Sequence, residues 1–234
     1  MVINMSLITE AAQLIGDPAR ANILFALKDD GEITSGDLSS IAGVAVSTAS
    51  EHLSKLMEAG LVTVQAKGRR RYYRLSGPIV AEILEGVEGI AATLARRSGS
   101  GAVHDRAMSH ARCCYDHVAG RVAVQIMDAM LANSFIRHST SGPDVTEQGA
   151  AWLMSLGADV HQLRMEPRRF MRLCPDWSEN AVHVGGAVGA AMLRGLIGRD
   201  WLRRVRGSKV LLVTPAGAAG FRSDLGVDVR SKEC

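Results

Sequence analysis

The sequence predicts a mainly α-helical fold with short β-hairpins, in two domains, the second helix-rich and built from two similar halves. Three observations lead there. Apolar side chains recur at helical spacing from residue 7 to residue 57. At residues 61–75 the period shortens into two strand-like runs around a Lys67-Gly68 turn. Beyond residue 105 a set of short motifs occurs twice. A chain of 234 residues, 47% hydrophobic and 22% charged, is long enough for two cores and too apolar for disorder. Aromatic residues reach only 4%, which argues against a large aromatic-rich sandwich.

In order along the chain, Leu7, Ala11, Leu14 and Ile15 share a helical face, and Gly16 stops that helix. Asp17-Pro18 opens a second, with Asp17 as N-cap and Pro18 at the first position; Ile23, Leu24 and Leu27 are its core stripe. Thr34 with Asp37 resembles a capping box for a short third helix that carries Leu38 and Ile41. After Gly43 a fourth helix spans residues 46–59, with Ala49, Leu53, Leu56 and Met57 at core spacing and Gly60 as its stop. Strands at 61–65 and 71–75 then form a hairpin, so that the order is helix-turn-helix followed by a wing. A fifth helix carries Ile79, Ile83, Val87, Ile90 and Leu94, a stripe suited to a second subunit.

These elements define a DNA-binding and dimerisation domain at 1–98, a linker at 99–104 and a C-terminal effector or regulatory domain at 105–234, with halves at about 110–157 and 170–226. Each half opens on Cys-Xaa-Asp, at Cys114-Tyr115-Asp116 and Cys174-Pro175-Asp176. Each continues through a glycine-bearing apolar helix, an aromatic-aliphatic-Arg step (Phe135-Ile136-Arg137, Trp201-Leu202-Arg203) and a Val-Thr segment (Val145-Thr146, Val213-Thr214), and closes on Leu-Gly.

The charge pattern points to duplex DNA. The net charge is only +3, but between residues 46 and 74 six Lys/Arg face two acids. A helix entering the major groove needs small polar side chains at its start, and Val46, Ser47, Thr48, Ser50, Glu51 and His52 supply them, with Lys55 one turn on for phosphate. Lys67, Arg69, Arg70 and Arg71 crowd the hairpin tip, where they suit backbone or minor-groove contact.

From Asp17-Pro18-Ala19-Arg20 to Tyr72-Tyr73-Arg74-Leu75 the chain resembles the arsenic-responsive repressor (ArsR/SmtB) family. The matching pieces are Ser47-Thr48-Ala49-Ser50-Glu51-His52-Leu53, Leu56-Met57-Glu58-Ala59-Gly60-Leu61-Val62 and Gly68-Arg69-Arg70-Arg71. The resemblance implies a homodimeric repressor that leaves DNA when an effector binds, and the Ser47-to-Lys55 face with the long apolar helix after the wing points to an inverted-repeat operator. Two departures matter. Asp37-Leu38-Ser39-Ser40 stands where the family's thiolate metal site needs cysteines, and residues 79–97 contain no His or Cys for its interfacial zinc site. Cys114-Tyr115-Asp116-His117 and Cys174-Pro175-Asp176-Trp177 resemble the C-terminal extension of a longer subgroup of these regulators.

The sensor is therefore expected in the second domain. His110, Cys113, Cys114 and His117, read as one helix, place Cys114 and His117 on a shared face, and Cys174 with Asp176 can complete a site. Thiolate and imidazole suit a soft divalent ion such as zinc, cadmium or lead. A thiol that senses oxidants, and cysteines that merely pack beside a pocket for a small organic ligand, are the alternatives. A thiol-dependent enzyme is the remaining class, but no orienting third group or oxyanion hole accompanies Cys114 and His117, so no catalytic residue is expected. The longest apolar run, 184–193, is shorter than the ~20 residues a bilayer needs, and residues 1–5 have no signal-peptide pattern. A cytoplasmic protein is expected.

Overall fold

The computed structural model describes residues 4–97, 106–139 and 142–229. Two compact units divide the chain, Met1–Leu84 and Glu85–Cys234. The division falls inside the fifth helix rather than after it, and the expected linker at 99–104 lies outside the described residues.

The first unit begins with α1 (Met5–Gly16) and α2 (Pro18–Asp30). Asp17 caps α2 by accepting from the Arg20 amide at 2.9 Å, and the Arg20 guanidinium donates back to the Leu14 and Gln13 carbonyls at 2.8 Å each. A short strand that the sequence did not announce, β1 (Ile33–Thr34), precedes α3 (Ser35–Ala42). Thr34 caps α3 through Asp37, as its spacing predicts, and Gly43 ends the helix at φ +68°. Next come α4 (Val46–Glu58), β2 (Val62–Lys67) and β3 (Arg70–Leu75). The antiparallel sheet has the order β1-β3-β2, and the pair Lys67↔Arg70 leaves a two-residue tip in which Gly68 takes φ +64°. Ile23, Leu24, Leu27, Leu38, Leu53 and Leu56 are fully buried beneath it. α5 (Pro78–Arg97) follows the wing. On it Ile79, Ile83, Ile90 and Leu94 remain exposed, which is a costly placement for four aliphatic side chains on one helix.

In the second unit α6 (Arg106–His110) leads into a ββαββα arrangement that occurs twice. The first copy is β4 (Arg112–Cys114), β5 (His117–Ala119), α7 (Arg121–Ala132), β6 (Ile136–Ser139), β7 (Gly142–Val145) and α8 (Glu147–Ser155). After α9 (Val160–Met165), the second is β8 (Arg172–Pro175), β9 (Val182–Gly185), α10 (Gly186–Gly198), β10 (Leu202–Arg204), β11 (Leu211–Val213) and α11 (Pro215–Leu225). α7 and α10 carry the shared core through Val122, Ile126, Met130, Val188, Met192 and Leu196. Matched details confirm the duplication. Thr146 and Thr214 cap α8 and α11 by accepting from Gly149 and Gly217, at 3.1 and 2.9 Å. Gly120 and Gly186 both take positive φ, where an added Cβ would come within 2.8 Å of the Ser109 carbonyl and 2.7 Å of the Arg169 carbonyl.

One expectation is corrected. Residues 112–119 form no helix but the hairpin β4-β5, with Cys114 directly opposite His117. The turn is Tyr115-Asp116, and Tyr115 adopts φ +55° to close it. Side chains therefore alternate with a period of two, and neighbouring cysteines face opposite ways.

Candidate nucleic-acid interface and candidate metal centre

The helix after the turn, α4, buries Ala49, Leu53 and Leu56 and turns Val46, Ser47, Ser50, Glu51 and Lys55 outward. Ser50 donates its hydroxyl to the Val46 carbonyl at 2.9 Å. Thr48 is half-buried, and so is His52, whose Nδ1 sits 4.0 Å from the Asp17 carboxylate. At the wing, Arg69, Arg70 and Arg71 are exposed. Lys67 is paired with Glu32, and its ammonium lies 5.5 Å from the centre of the Tyr72 ring. Of the expected contact residues, Lys67 and Ser50 thus already have partners within the unit, and His52 stands near Asp17 without a hydrogen bond at Nδ1.

In the second unit the hairpins β4-β5 and β8-β9 perform the same local task. Cys114 faces His117 in one register and Cys174 faces His183 in the other. Directly opposed residues of an antiparallel pair project to one side, so each hairpin offers one sulfur and one imidazole to a common point. The four donor atoms lie within 4.8 Å of one another, and all four residues are buried. The Nε2 atoms of His117 and His183 are 3.1 Å apart.

Each imidazole turns its other nitrogen to a carboxylate. His183 Nδ1 lies 3.1 Å from Asp176, and His117 Nδ1 lies 3.5 Å from Asp116, in both cases short of a well-aligned hydrogen bond. Asp176 is anchored by Arg112 at 3.0 Å, the Gly120 amide at 2.6 Å and the Ser178 amide at 2.9 Å. Burial would raise its carboxyl pKa, but His183, Arg112 and Gly120 together hold it far below the usual range. Asp116 is held by Arg168. Burial would likewise depress His117, yet Asp116 and Cys114 raise it to about 9. The neighbouring Cys174 thiol and burial push the Cys114 thiol up.

A fifth group faces the cluster. Glu85, on α5 and itself buried, lies 3.5 Å from Cys114 Sγ and 3.6 Å from Cys174 Sγ, and pairs with Arg172.

Three expected site residues stand elsewhere. Cys113 points to the opposite side of β4, where its sulfur meets the Tyr115 carbonyl and Arg204 at 3.2 and 3.4 Å. His110 ends α6, before the hairpin begins. Asp176 supports an imidazole from behind rather than joining the four inward atoms. Two residues escaped sequence reasoning. His183 was legible in principle, since His183-Val184-Gly185-Gly186 repeats His117-Val118-Ala119-Gly120. Glu85 carries no comparable signal.

The description bacterial regulatory protein, arsR family, fits residues 17–64 through that family's model. A curated relative from Bacillus subtilis (strain 168), the uncharacterized HTH-type transcriptional regulator YdfF, is 34% identical over 222 residues, covering 95% of this chain and 98% of that protein. Among solved structures, M. tuberculosis Rv0081 is 27% identical over 40% of this chain and 94% of its own, with a TM-score of 0.38. HlyU from Vibrio cholerae N16961 is 28% identical over 38% of this chain and 97% of its own, with a TM-score of 0.35. The Bacillus relative runs through both units.

Proposed function

The chain belongs to the arsR family of bacterial regulatory proteins, DNA-binding transcription regulators, and on that premise we propose that it is a homodimeric repressor of an inverted-repeat operator. It lets go of duplex DNA when an effector, a soft metal ion or a thiol oxidant, engages the cysteine-histidine cluster of its second unit. The observation that carries the DNA reading is the exposed row Ser47, Ser50, Glu51 and Lys55 on α4, together with the exposed arginines of the wing. Dimerisation is supported by the exposed aliphatic residues of α5. The effector reading rests on the buried cluster, because α3 has Asp37-Leu38-Ser39-Ser40 in place of thiols and 78–97 has neither His nor Cys.

The test is a selection of bound sequences from random duplexes, followed by titration of zinc, cadmium, lead and hydrogen peroxide into the resulting complex. An inverted repeat whose complex dissociates with one of these effectors supports the reading. A monomer on a half-site, or a complex indifferent to every effector, contradicts it.

A further inference from the structure

We propose that Cys114, His117, Cys174 and His183 form a closed tetrahedral site for one zinc-class divalent ion, with Asp116 and Asp176 as its outer carboxylates and Glu85 as a neighbour that does not ligate. This narrows the effector reading above and rests on it for the link to DNA, though not for the binding itself.

A tetrahedral zinc with Zn–N of about 2.0–2.1 Å and Zn–S of about 2.3 Å needs its two nitrogens about 3.3 Å apart and its two sulfurs about 3.8 Å apart. The imidazole nitrogens already stand at 3.1 Å, and every donor pair lies within 4.8 Å, so small side-chain rotations close the shell. Two sulfurs with two imidazoles select zinc, cadmium or cobalt over the hard cations magnesium and calcium.

A proton on Nδ1, facing a carboxylate, leaves the lone pair on Nε2. With Asp116 and Asp176 behind the two rings, the two Nε2 atoms face each other at 3.1 Å with room for one proton between them, in a site from which water is nearly excluded: His117 is 1% exposed and His183 0%. A cation between them takes the place of that proton and accepts both lone pairs. The carboxylates are themselves fixed by Arg168, Arg112 and the Gly120 amide, an arrangement that orients imidazoles for a metal and that a purely apolar core does not need.

The site arises twice over from one local rule. The duplicated hairpins present the same sulfur–nitrogen pair at the same register, although the second has a longer loop between Cys174 and His183. Four protein donors and so little exposure leave no open position for substrate, which is the form of a structural or sensory ion site.

Binding also changes what Glu85 meets. Each thiol now points at one of its carboxylate oxygens, and the entering ion expels both thiol protons and the proton held between the two imidazoles to solvent as two metal–sulfur and two metal–nitrogen bonds form. Glu85 then loses both thiol donors and keeps Arg172, with His117 Nδ1 3.8 Å away. Since Glu85 lies on α5, the helix that directly follows the wing in the chain, ion occupancy is registered on that helix.

The experiment uses the full chain, stripped by chelation under reducing conditions and titrated with cobalt(II), then with zinc(II). Expected are one cobalt per chain, the intense visible bands of a tetrahedral ion, a near-ultraviolet thiolate-to-cobalt transition, and displacement of cobalt by zinc. Cys174→Ser and His183→Ala lose that spectrum, whereas Cys113→Ser, His110→Ala and Glu85→Gln keep it. Asp116→Asn weakens binding by about 10–100-fold. In the wild-type chain, zinc must also shield two thiols from a thiol reagent, a readout that requires no variant to fold. Absence of a tetrahedral spectrum, its survival in Cys174→Ser, or its loss in Glu85→Gln overturns the proposal. If cobalt binds as described but operator affinity is the same with and without it, the site stands and the effector reading fails. If no ion binds while peroxide still releases the operator, this proposal fails and that reading stands.

Discussion

In the winged-helix unit the side chains suited to DNA lie mostly on the surface, all between residues 46 and 71, on one helix and one hairpin tip. In the duplicated unit the four donor atoms are buried and come from two hairpins separated by three helices and a strand pair. The contrast shows two ways in which a sequence encodes a site. A surface that reads DNA is encoded in local composition, and each residue acts from its own place on a helix face or turn. A buried centre is encoded in strand register and in repetition, and no single segment contains it.

The largest expected effect tests whether that second site is a folding element. All three tryptophans, Trp152, Trp177 and Trp201, lie in the second unit, so their fluorescence during urea unfolding reports on that unit. Free zinc at about 1,000 times its Kd should add ~4 kcal/mol to that transition, and chelation should remove it. An unchanged fluorescence midpoint would mean that the cluster contributes nothing to the fold as an ion site.

Next in size is a pair of glycines. Gly186→Ala should destabilise the second unit by about 3 kcal/mol, because its Cβ meets the Arg169 carbonyl and φ is +78°. Gly68→Ala, at φ +64° with open space around it, should cost the first unit only ~1–2 kcal/mol. Equal losses in the two urea curves would mean that backbone angle alone sets the cost.

How far the sequence exposed these features follows from the same contrast. The order of α1 to α5, the Asp17 and Thr34 caps and the glycine stops were readable because each depends on residues within one turn of each other. The duplication was readable from its motifs. The hairpin at residues 112–119 was not, because a run as short as Arg112-Cys113-Cys114-Tyr115-Asp116-His117 fits either period, and the turn relies on Tyr115 accepting a left-handed conformation. That single change of period moved Cys113 and His110 out of the cluster. His183 went unnoticed because the repeat was aligned on its cysteines, and the longer loop of the second hairpin shifts the histidine relative to them. Glu85 depends on tertiary packing alone.

A smaller effect sharpens the surface half of the comparison. Arg69→Ala, Arg70→Ala or Arg71→Ala should each weaken all duplexes alike and reduce the salt-dependence slope by about 0.9 for each phosphate that is no longer neutralised. Ser47→Ala or Glu51→Ala should instead change the preferred sequence, by ~1–3 kcal/mol for each base edge that is no longer read. Binding isotherms at several salt concentrations separate the two, and a reversed pattern would exchange the roles of wing and helix. The smallest effect is common to both units. Thr34→Ala and Thr214→Ala remove equivalent N-caps and should each cost about 1 kcal/mol by urea unfolding, because capping is local wherever it occurs.

Thermodynamic linkage between the cysteine-histidine site and the DNA face is read directly from the operator affinity of the stripped protein with and without one equivalent of zinc, for wild type and Cys174→Ser. Zinc is expected to weaken wild-type binding by about 5–150-fold, a coupling of ~1–3 kcal/mol, and to leave Cys174→Ser unaffected. Equal wild-type affinities in the two conditions, or the same loss in Cys174→Ser, would contradict it.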